Sequence, residues 1–261
     1  METTQSESDL NPKASAFSSW YFATLIGLTA LTALFFVLSG YGYNWGVWGL
    51  STAFFILRIS AYMLIVFGIA GLLSLWFANR SRNRGRHLTY TFLTIALSGT
   101  AVGVALYWQA QVNNNPFLHE ISTDTQNPPA FDAILDLRAD APNPPEYGGE
   151  PVAMLQQAAF PDIITIVLPY PKQRVYDEAV SLIGARGWDL AAGNYETGII
   201  EATEKLPWFG FKDDVVIRLV SDNGRTIFDM RSKSRIGGTD LGVNARRVQR
   251  FMADLKTNLS D

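Results

Sequence analysis

Cysteine is missing from the 261-residue chain. Its absence excludes disulfide bonds, thiol nucleophiles and thiolate metal sites, although it does not identify the compartment. Histidine is scarce as well, with only His87 and His119. A Ser-His-Asp triad would have to recruit His119, and a zinc site built from several histidines cannot be assembled. Carboxylates, hydroxyls, lysine and arginine are the side chains left for chemistry, and no cofactor is indicated.

Acidic residues are absent from residues 14–116, where every charged side chain is an arginine. This region contains three long apolar runs, at about 20–38, 55–77 and 88–108. Each run is long enough to cross a hydrocarbon core of about 30 Å as an α-helix. Aromatic residues such as Trp20, Trp76 and Trp108 lie at the ends of the runs, where amphipathic rings favour the headgroup level. The pattern predicts a three-helix transmembrane anchor over residues 20–112.

The loop charges predict an orientation for this anchor. The link between the second and third runs carries Arg80, Arg82, Arg84 and Arg86, whereas the link between the first and second has no Lys or Arg. The positive-inside rule then places the arginine loop and the N-terminus in the cytoplasm. Residues 1–19 are polar and predicted to be disordered, and we expect an uncleaved anchor instead of a signal peptide. Three spans would put residues 113–261 in the periplasm, outside a bacterial inner (plasma) membrane.

Residues 113–261 have the composition of a soluble, acidic domain. They contain 21 Asp and Glu against 15 Lys and Arg, a net charge of −6. We expect no nucleic-acid partner, because neutralising phosphates requires clustered positive charge. The doublets Asp213-Asp214 and Arg246-Arg247 are too common to be motifs. Residues 113–160, called the arm below, are rich in proline, which blocks regular structure. This composition fits either an ordered arm or a linker.

The residues after the arm predict an α+β fold. The expected elements are a strand at 162–168, a helix at 171–186, a hairpin of strands 188–192 and 198–205, a second hairpin of strands 213–220 and 225–233, and a helix at 241–259. The second hairpin turns at Asn223-Gly224, the strongest short hairpin signal. One antiparallel sheet with two helices on one face satisfies this β-α-β-β-β-β-α order.

The second hairpin carries charges whose register can be predicted. A two-residue turn at Asn223-Gly224 makes Arg218 face Asp229, Asp214 face Lys233 and Val216 face Arg231. Directly opposed opposite charges stabilise a sheet by roughly 0.2–1 kcal/mol each. They are therefore interpreted as cross-strand pairs on the open face of a half-covered sheet. The alternative is that Arg231, the least neutralised charge, binds an anionic or zwitterionic group beside Glu201.

A ligand site is also predicted around the loop that enters the last helix. Gly237-Gly238 permits a positive φ, and the N–H groups of a helix that starts at Thr239 or Asp240 favour an anion. The candidate ligand-binding residues are Arg231, Ser232, Ser234, Arg235, Thr239, Asp240, Asn244 and Arg246. The same residues would also build a helix cap, with Asp240 as the capping side chain, paired to Arg235 or Arg246. Both interpretations stay open.

Several sequence strings are similar to one known family. These are HEISTDTQNPPAF at 119–131, GW at 187–188, GIIEATEKLPWFGFKDDVVIRL at 198–219 and DMRSKSRIGGTDLGVNARRVQRF at 229–251. They resemble the domain of unknown function 1499 family over most of residues 113–261. The resemblance implies that residues 119–131 belong to the domain, and three preceding spans are similar to a common bacterial arrangement. It implies no catalytic residue, because the family has no established activity.

The leading hypothesis is a non-enzymatic inner-membrane protein whose periplasmic domain serves envelope-related binding. Its expected partners are membrane lipids and a periplasmic protein, lipid or glycan. One rival is a metal-assisted hydrolase in which Asp213, Asp214 and Asp240 hold Mg²⁺ or Ca²⁺. Alternation along a strand sends Asp213 and Asp214 to opposite faces, which weakens that rival. The other rival is a structural subunit of a membrane complex, in which the domain acts as a spacer.

Overall fold

The computed structural model describes residues 12–260, with side chains from Ser19 onward, and divides the chain into two compact units, residues 1–107 and 108–261. Residues 1–11 of the segment that we predicted to be disordered lie outside the described residues. Residues 12–19 of that segment belong to the first helix.

Three long helices precede the sheet domain: α1 (Pro12–Asn44), α2 (Leu50–Asn79) and α3 (Arg84–Asn114). All three are long and apolar enough to cross a membrane, which confirms the number of membrane-capable helices predicted. Each helix extends beyond the apolar run that predicted it, because the polar residues at its ends continue the backbone hydrogen bonding.

The helices of the first unit meet through small side chains. The buried residues of α2 and α3 include Ala53, Ser60, Gly71, Ser74, Thr91, Thr94, Ser98 and Ala101. A Cβ on Gly71 would lie 3.1 Å from Thr94, so this glycine lets α2 and α3 approach closely. Leu73 and Phe77, by contrast, are 68% and 61% exposed. Small residues between helices and large apolar ones outside are typical of helices surrounded by lipid.

The described part of the second unit contains one sheet, three further α-helices and a short 3-10 helix at Asp136–Arg138. Its elements are β1 (Glu120–Ser122), α4 (Glu150–Ala159), β2 (Ile166–Leu168), α5 (Lys172–Ala185), β3 (Asp189–Asn194), β4 (Ile199–Lys205), β5 (Lys212–Asp222), β6 (Arg225–Ser234) and α6 (Val243–Ser260). The elements β1 and α4 lie in the arm and were not predicted. The arm is therefore an ordered part of the domain.

The sheet is antiparallel throughout. Its strand order is β1-β6-β5-β4-β3. The strand β2 also pairs with β6, at residues 226–228, whereas β1 pairs with it at residues 231–233. Asn223 and Gly224 have φ of 48° and 81°, as the turn of a tight hairpin requires. The predicted register of this hairpin is confirmed, with Arg218 opposite Asp229 and Val216 opposite Arg231.

The helices α5 and α6 cover one face of the sheet. Apolar residues of α5, such as Val175 and Ile183, and of α6, such as Val248, form one core with the strands. The rings of Phe228 and Phe251 stack in this core with centroids 6.2 Å apart. Burial of these side chains from water is the main favourable term for the domain.

The opposite face of the sheet is covered by the arm, so our prediction of an open face was wrong. Phe131 and Ile134 pack against Val216. In α4, the Gln156 side chain accepts a hydrogen bond from the Ser122 amide at 2.9 Å and donates one to its carbonyl at 2.6 Å. Contacts of this kind hold a segment with little regular structure, and the charged side chains beneath it are buried.

Candidate functional site

A buried ion cluster joins β6 to the arm. Arg231 donates to Glu120 Oε2 from Nη2 at 2.8 Å, and Lys233 Nζ donates to Glu120 Oε1 at 3.0 Å. The Arg231 guanidinium also lies over the rings of Phe131 and Tyr147, at 4.8 and 5.5 Å from their centroids. Arg231, expected to be the least neutralised charge of the hairpin, is therefore fully engaged. Glu120, which the prediction overlooked, is its partner.

A second ion cluster surrounds Asp214 on the same face. Arg235 donates to Asp214 Oδ1 from Nη2 at 2.7 Å, and Arg138 of the arm lies 3.3 Å from Oδ2. Thr203 Oγ1 also donates to this carboxylate, at 2.7 Å. The candidate Arg235 is thus held by Asp214 and is not available to a ligand on this face.

Two further carboxylates of this face are saturated by protein donors. Glu201 accepts backbone N–H bonds from residues 132, 133 and 134 at 3.0 to 3.1 Å. Asp229 accepts from Thr123 at 3.0 Å and from Arg218 at 2.8 Å. Because Glu201 binds the arm directly, the group predicted to help Arg231 hold a ligand has a structural partner instead.

Burial between the arm and the sheet shifts the protonation equilibria of two groups. It lowers the pKa of Lys233 from its ordinary value, and the facing Glu120 carboxylate opposes that shift. Burial, reinforced by the negative charge of Glu120, raises the pKa of Tyr147 to about 12. Tyr147 Oη and Arg138 Nε are buried without a hydrogen-bond partner among the described residues.

The predicted loop site is a capping network on the helix face. Asp240 accepts N–H bonds from Gly242 and Asn244, both at 2.8 Å, so its carboxylate occupies the helix end where an anion was expected. Thr239 Oγ1 accepts from the Leu241 amide at 3.2 Å. Burial raises the pKa of Asp240, and these two N–H groups oppose the shift. Neither expected partner pairs with Asp240, because Arg235 binds Asp214 and Arg246 donates to Gln111.

Asn244 brings two other candidates together behind this loop. Ser232 Oγ donates to Asn244 Oδ1 at 2.7 Å, and Asn244 Nδ2 donates to Ser234 Oγ at 3.0 Å and to the His119 carbonyl at 3.0 Å. Ser232, Ser234 and Asn244 therefore satisfy one another. They lie on the opposite face of the sheet from Arg231, so the eight candidates do not form one site.

The three aspartates of the rival metal site are separated. Asp213 binds Arg247 Nη2 at 2.5 Å on the helix face, while Asp214 lies on the arm face and Asp240 caps α6. Between residues 12 and 260, no group of three or more His, Cys, Asp or Glu side chains is placed to hold a metal ion. The opposite orientation of Asp213 and Asp214 is the one that strand alternation predicts.

The doublet at 246–247 has a role that we discounted. Arg247 is buried, pairs with both Asp213 and Glu204, and donates to Ser232 Oγ at 2.9 Å. Arg246 projects beside it, and among the described residues its side chain makes one hydrogen bond, to the Gln111 amide oxygen at 3.3 Å. The two neighbours therefore differ, because one is locked in an ion network and the other keeps an uncompensated charge.

These side chains line a cleft of about 360 Å³, called the arginine cleft. Its lining residues are Arg186, Trp188, Glu204, Leu206, Val243, Arg246, Arg247 and Arg250. Four arginines meet there with one carboxylate, and within the described part of the chain Arg250 has no ion pair or hydrogen bond of its side chain. Arg246 and Arg250 lie four residues apart on α6, a spacing that puts them on one helix face and could have identified the cleft.

The arrangement defines a class of protein: an antiparallel α+β domain that follows three membrane-capable helices and carries an arginine-lined cleft. Residues 120–255 match the family described as Protein of unknown function (DUF1499), and the chain belongs to that family. The match begins at Glu120, which agrees with the structural place of the arm in the domain. Comparison with curated proteins and with solved structures finds no match.

Proposed function

We propose that the protein is a non-enzymatic, membrane-tethered binding protein. Its α+β domain faces the periplasm of a bacterial inner membrane, serves the cell envelope and captures an anionic ligand in the arginine cleft. The observation that carries this proposal is the contrast between Arg250, whose side chain has no polar partner among residues 12–260, and the paired arginines of the arm face. Guanidinium groups with unused donors favour anionic ligands.

The engagement of the carboxylates supports a binding role over catalysis. Asp213 is held by Arg247, and Asp214 by Arg138 and Arg235. A general acid or base needs a proton-exchanging atom within reach of a substrate. The oxygens of these carboxylates are occupied by contacts within the fold. A domain that binds a ligand without catalysing a reaction therefore fits the geometry best.

The orientation can be tested because the native chain has no cysteine. One variant carries Asn83→Cys in the arginine loop, and another carries Ala253→Cys on the exposed side of α6. In intact spheroplasts, a membrane-impermeant maleimide should label the cysteine at 253 and not the cysteine at 83. The reverse pattern would overturn the periplasmic orientation while leaving the cleft unaffected.

Anion binding can be tested on the full chain in detergent. Millimolar inorganic phosphate should raise its melting temperature, since a ligand that binds only the folded state stabilises it by mass action. The double variant Arg246→Gln/Arg250→Gln should lose this effect. A matched double variant, Arg225→Gln/Lys256→Gln, removes two exposed charges outside the cleft and should retain it. An equal shift in all three proteins would contradict a specific site.

A further inference from the structure

We propose that the arginine cleft holds the phosphate group of a membrane lipid. This inference rests on the proposed anion-binding function and adds the class of ligand. Phosphate oxygens match the planar fork of a guanidinium, which donates two parallel hydrogen bonds to them. The cleft offers two such groups, Arg246 and Arg250, that no carboxylate neutralises among the described residues.

The cleft also has an apolar wall. Trp188, Leu206 and Val243 line it together with the arginines. The Trp188 ring is packed in place, since it stacks on Phe251 with centroids 5.7 Å apart. A free inorganic anion makes no use of apolar surface, whereas the glycerol and first methylenes of a phospholipid bury against it. The combined lining therefore favours an amphipathic ligand.

Arg246, at the rim of the cleft, contacts Gln111 within the second unit. Arg246 Nη1 donates to Gln111 Oε1, and a Cβ on the neighbouring Gly242 would overlap Asn115 Oδ1. Gln111 follows Trp108 by three residues of α3, a rise of about 5 Å along the helix. Tryptophan favours the headgroup level of a bilayer. The partner of Arg246 thus lies within one helical turn of a residue that favours the headgroup level.

The charge of the domain favours a lipid phosphate over a soluble phosphate as the ligand of the cleft. Residues 113–261 carry a net charge of −6, which repels an anion that approaches through solution. A lipid at the surface to which the domain is tethered is instead present at a high effective concentration. A local basic cleft on an acidic domain is therefore suited to a ligand that the tether already brings close.

Native mass spectrometry of the full chain released from detergent tests the inference. The probes are dioctanoyl phosphatidic acid, dioctanoylglycerol, which has the same tails without phosphate, and inorganic phosphate. We expect a single phosphatidic acid adduct on the unmodified chain, at least about tenfold weaker binding of inorganic phosphate, and no dioctanoylglycerol adduct. Arg246→Gln/Arg250→Gln should weaken phosphatidic acid binding at least about tenfold, and the matched Arg225→Gln/Lys256→Gln variant should not.

The outcomes separate the two proposals. Inorganic phosphate bound as tightly as phosphatidic acid, and lost in the cleft variant, would overturn the lipid ligand and leave the anion-binding function standing. Phosphatidic acid that binds the cleft variant unchanged, while phosphate binding is lost, would place the lipid elsewhere and overturn the inference alone. Failure of both probes to bind the unmodified chain would overturn both proposals. An unchanged melting temperature of the unliganded variants shows that they are folded.

Discussion

Arg231 on β6 and Glu120 on β1 form a buried ion pair in which Nε and Nη2 both donate to Oε2, at 3.2 and 2.8 Å. The other carboxylate oxygen accepts from Lys233, which lies opposite Glu120 in the strand register. It also accepts from the Gly148 amide of the arm, at 2.8 Å. One carboxylate thus connects two cations of the sheet with two parts of the arm.

Substitution of Glu120 by Gln should release the arm. Removing one partner of a buried ion pair leaves the other charge uncompensated and costs about 3–5 kcal/mol of unfolding free energy. We expect about 3 kcal/mol, because glutamine still accepts a hydrogen bond. The loss should appear in denaturant unfolding of the full chain in detergent.

Trypsin gives a local readout of the same change. Arg138 is 4% exposed and is the only Lys or Arg between residues 87 and 171, so cleavage after it reports that the arm has opened. Cleavage at this site should be slow in the unmodified chain and fast in Glu120→Gln. Asp222→Asn, which breaks the exposed pair with Arg225, is the control and should cost less than about 1 kcal/mol. Equal protection in all three proteins would show that Glu120 does not fasten the arm.

The second hairpin and the arm that covers it differ in how far the sequence could predict their contacts. Asn223-Gly224 sets a two-residue turn, and local turn geometry then determines every partner from Arg218 to Lys233. The packing of the arm on the sheet depends on contacts such as that between Glu120 and Arg231, which are 111 residues apart in sequence. An irregular, proline-rich segment has no periodicity that would reveal which face it packs against. For this reason the cross-strand pairs of the hairpin could be predicted from the sequence, whereas their burial beneath the arm could not.

The ion pair between Arg247 and Asp213 should be essential to the helix face. Arg247→Met leaves a buried carboxylate without its cation, and we expect a loss of about 3–5 kcal/mol. The double variant Arg247→Met/Asp213→Leu removes both charges and should be more stable than the single variant. A double-mutant cycle from urea unfolding measures this coupling. Strictly additive losses would mean that the two side chains do not depend on each other.

For a related reason, the sequence could not show where a ligand would bind. Polar residues near a glycine-rich loop predict either a ligand site or a cap, and only the positions of Asp240 and Asn244 decide between them. The spacing of Arg246 and Arg250 is sufficient to put them on one face of the last helix, a signal that our sequence predictions did not use. Arg186 and Trp188 join them from the other side through the packing of α5 on α6, which periodicity does not specify.

Tyr147 should make stability depend on alkaline pH. Its pKa is about 12 in the folded protein, against 10.0 for an ordinary tyrosine. Between these values the unfolded chain has released a proton that the folded chain keeps, so the stabilisation is complete below pH 10 and is lost as the pH rises toward 12. Tyr147→Phe has no such proton. Its stability relative to the unmodified chain should therefore rise across this window, as measured by urea unfolding at several pH values.

At pH 7 the same substitution should change stability by less than about 1 kcal/mol, because Tyr147 Oη has no hydrogen-bond partner among the described residues. A parallel pH dependence of the two proteins above pH 10 would show that Tyr147 is not buried against the sheet. Glu120→Gln offers a cross-check, since opening the arm should hydrate the phenol and remove most of the difference.

Two glycines with similar backbone angles test how the start of α6 is packed. Gly242 and Gly224 have φ of 76° and 81°, so alanine at either position costs about 1 kcal/mol of conformational strain. A Cβ at 242 would also overlap Asn115 Oδ1, whereas nothing lies within 4 Å of a Cβ at 224. Gly242→Ala should therefore be more destabilising than Gly224→Ala by about 1–3 kcal/mol in thermal or urea unfolding. Adding Asn115→Ala should recover most of that excess, and equal losses at the two glycines would mean that the start of α6 is not packed against Asn115.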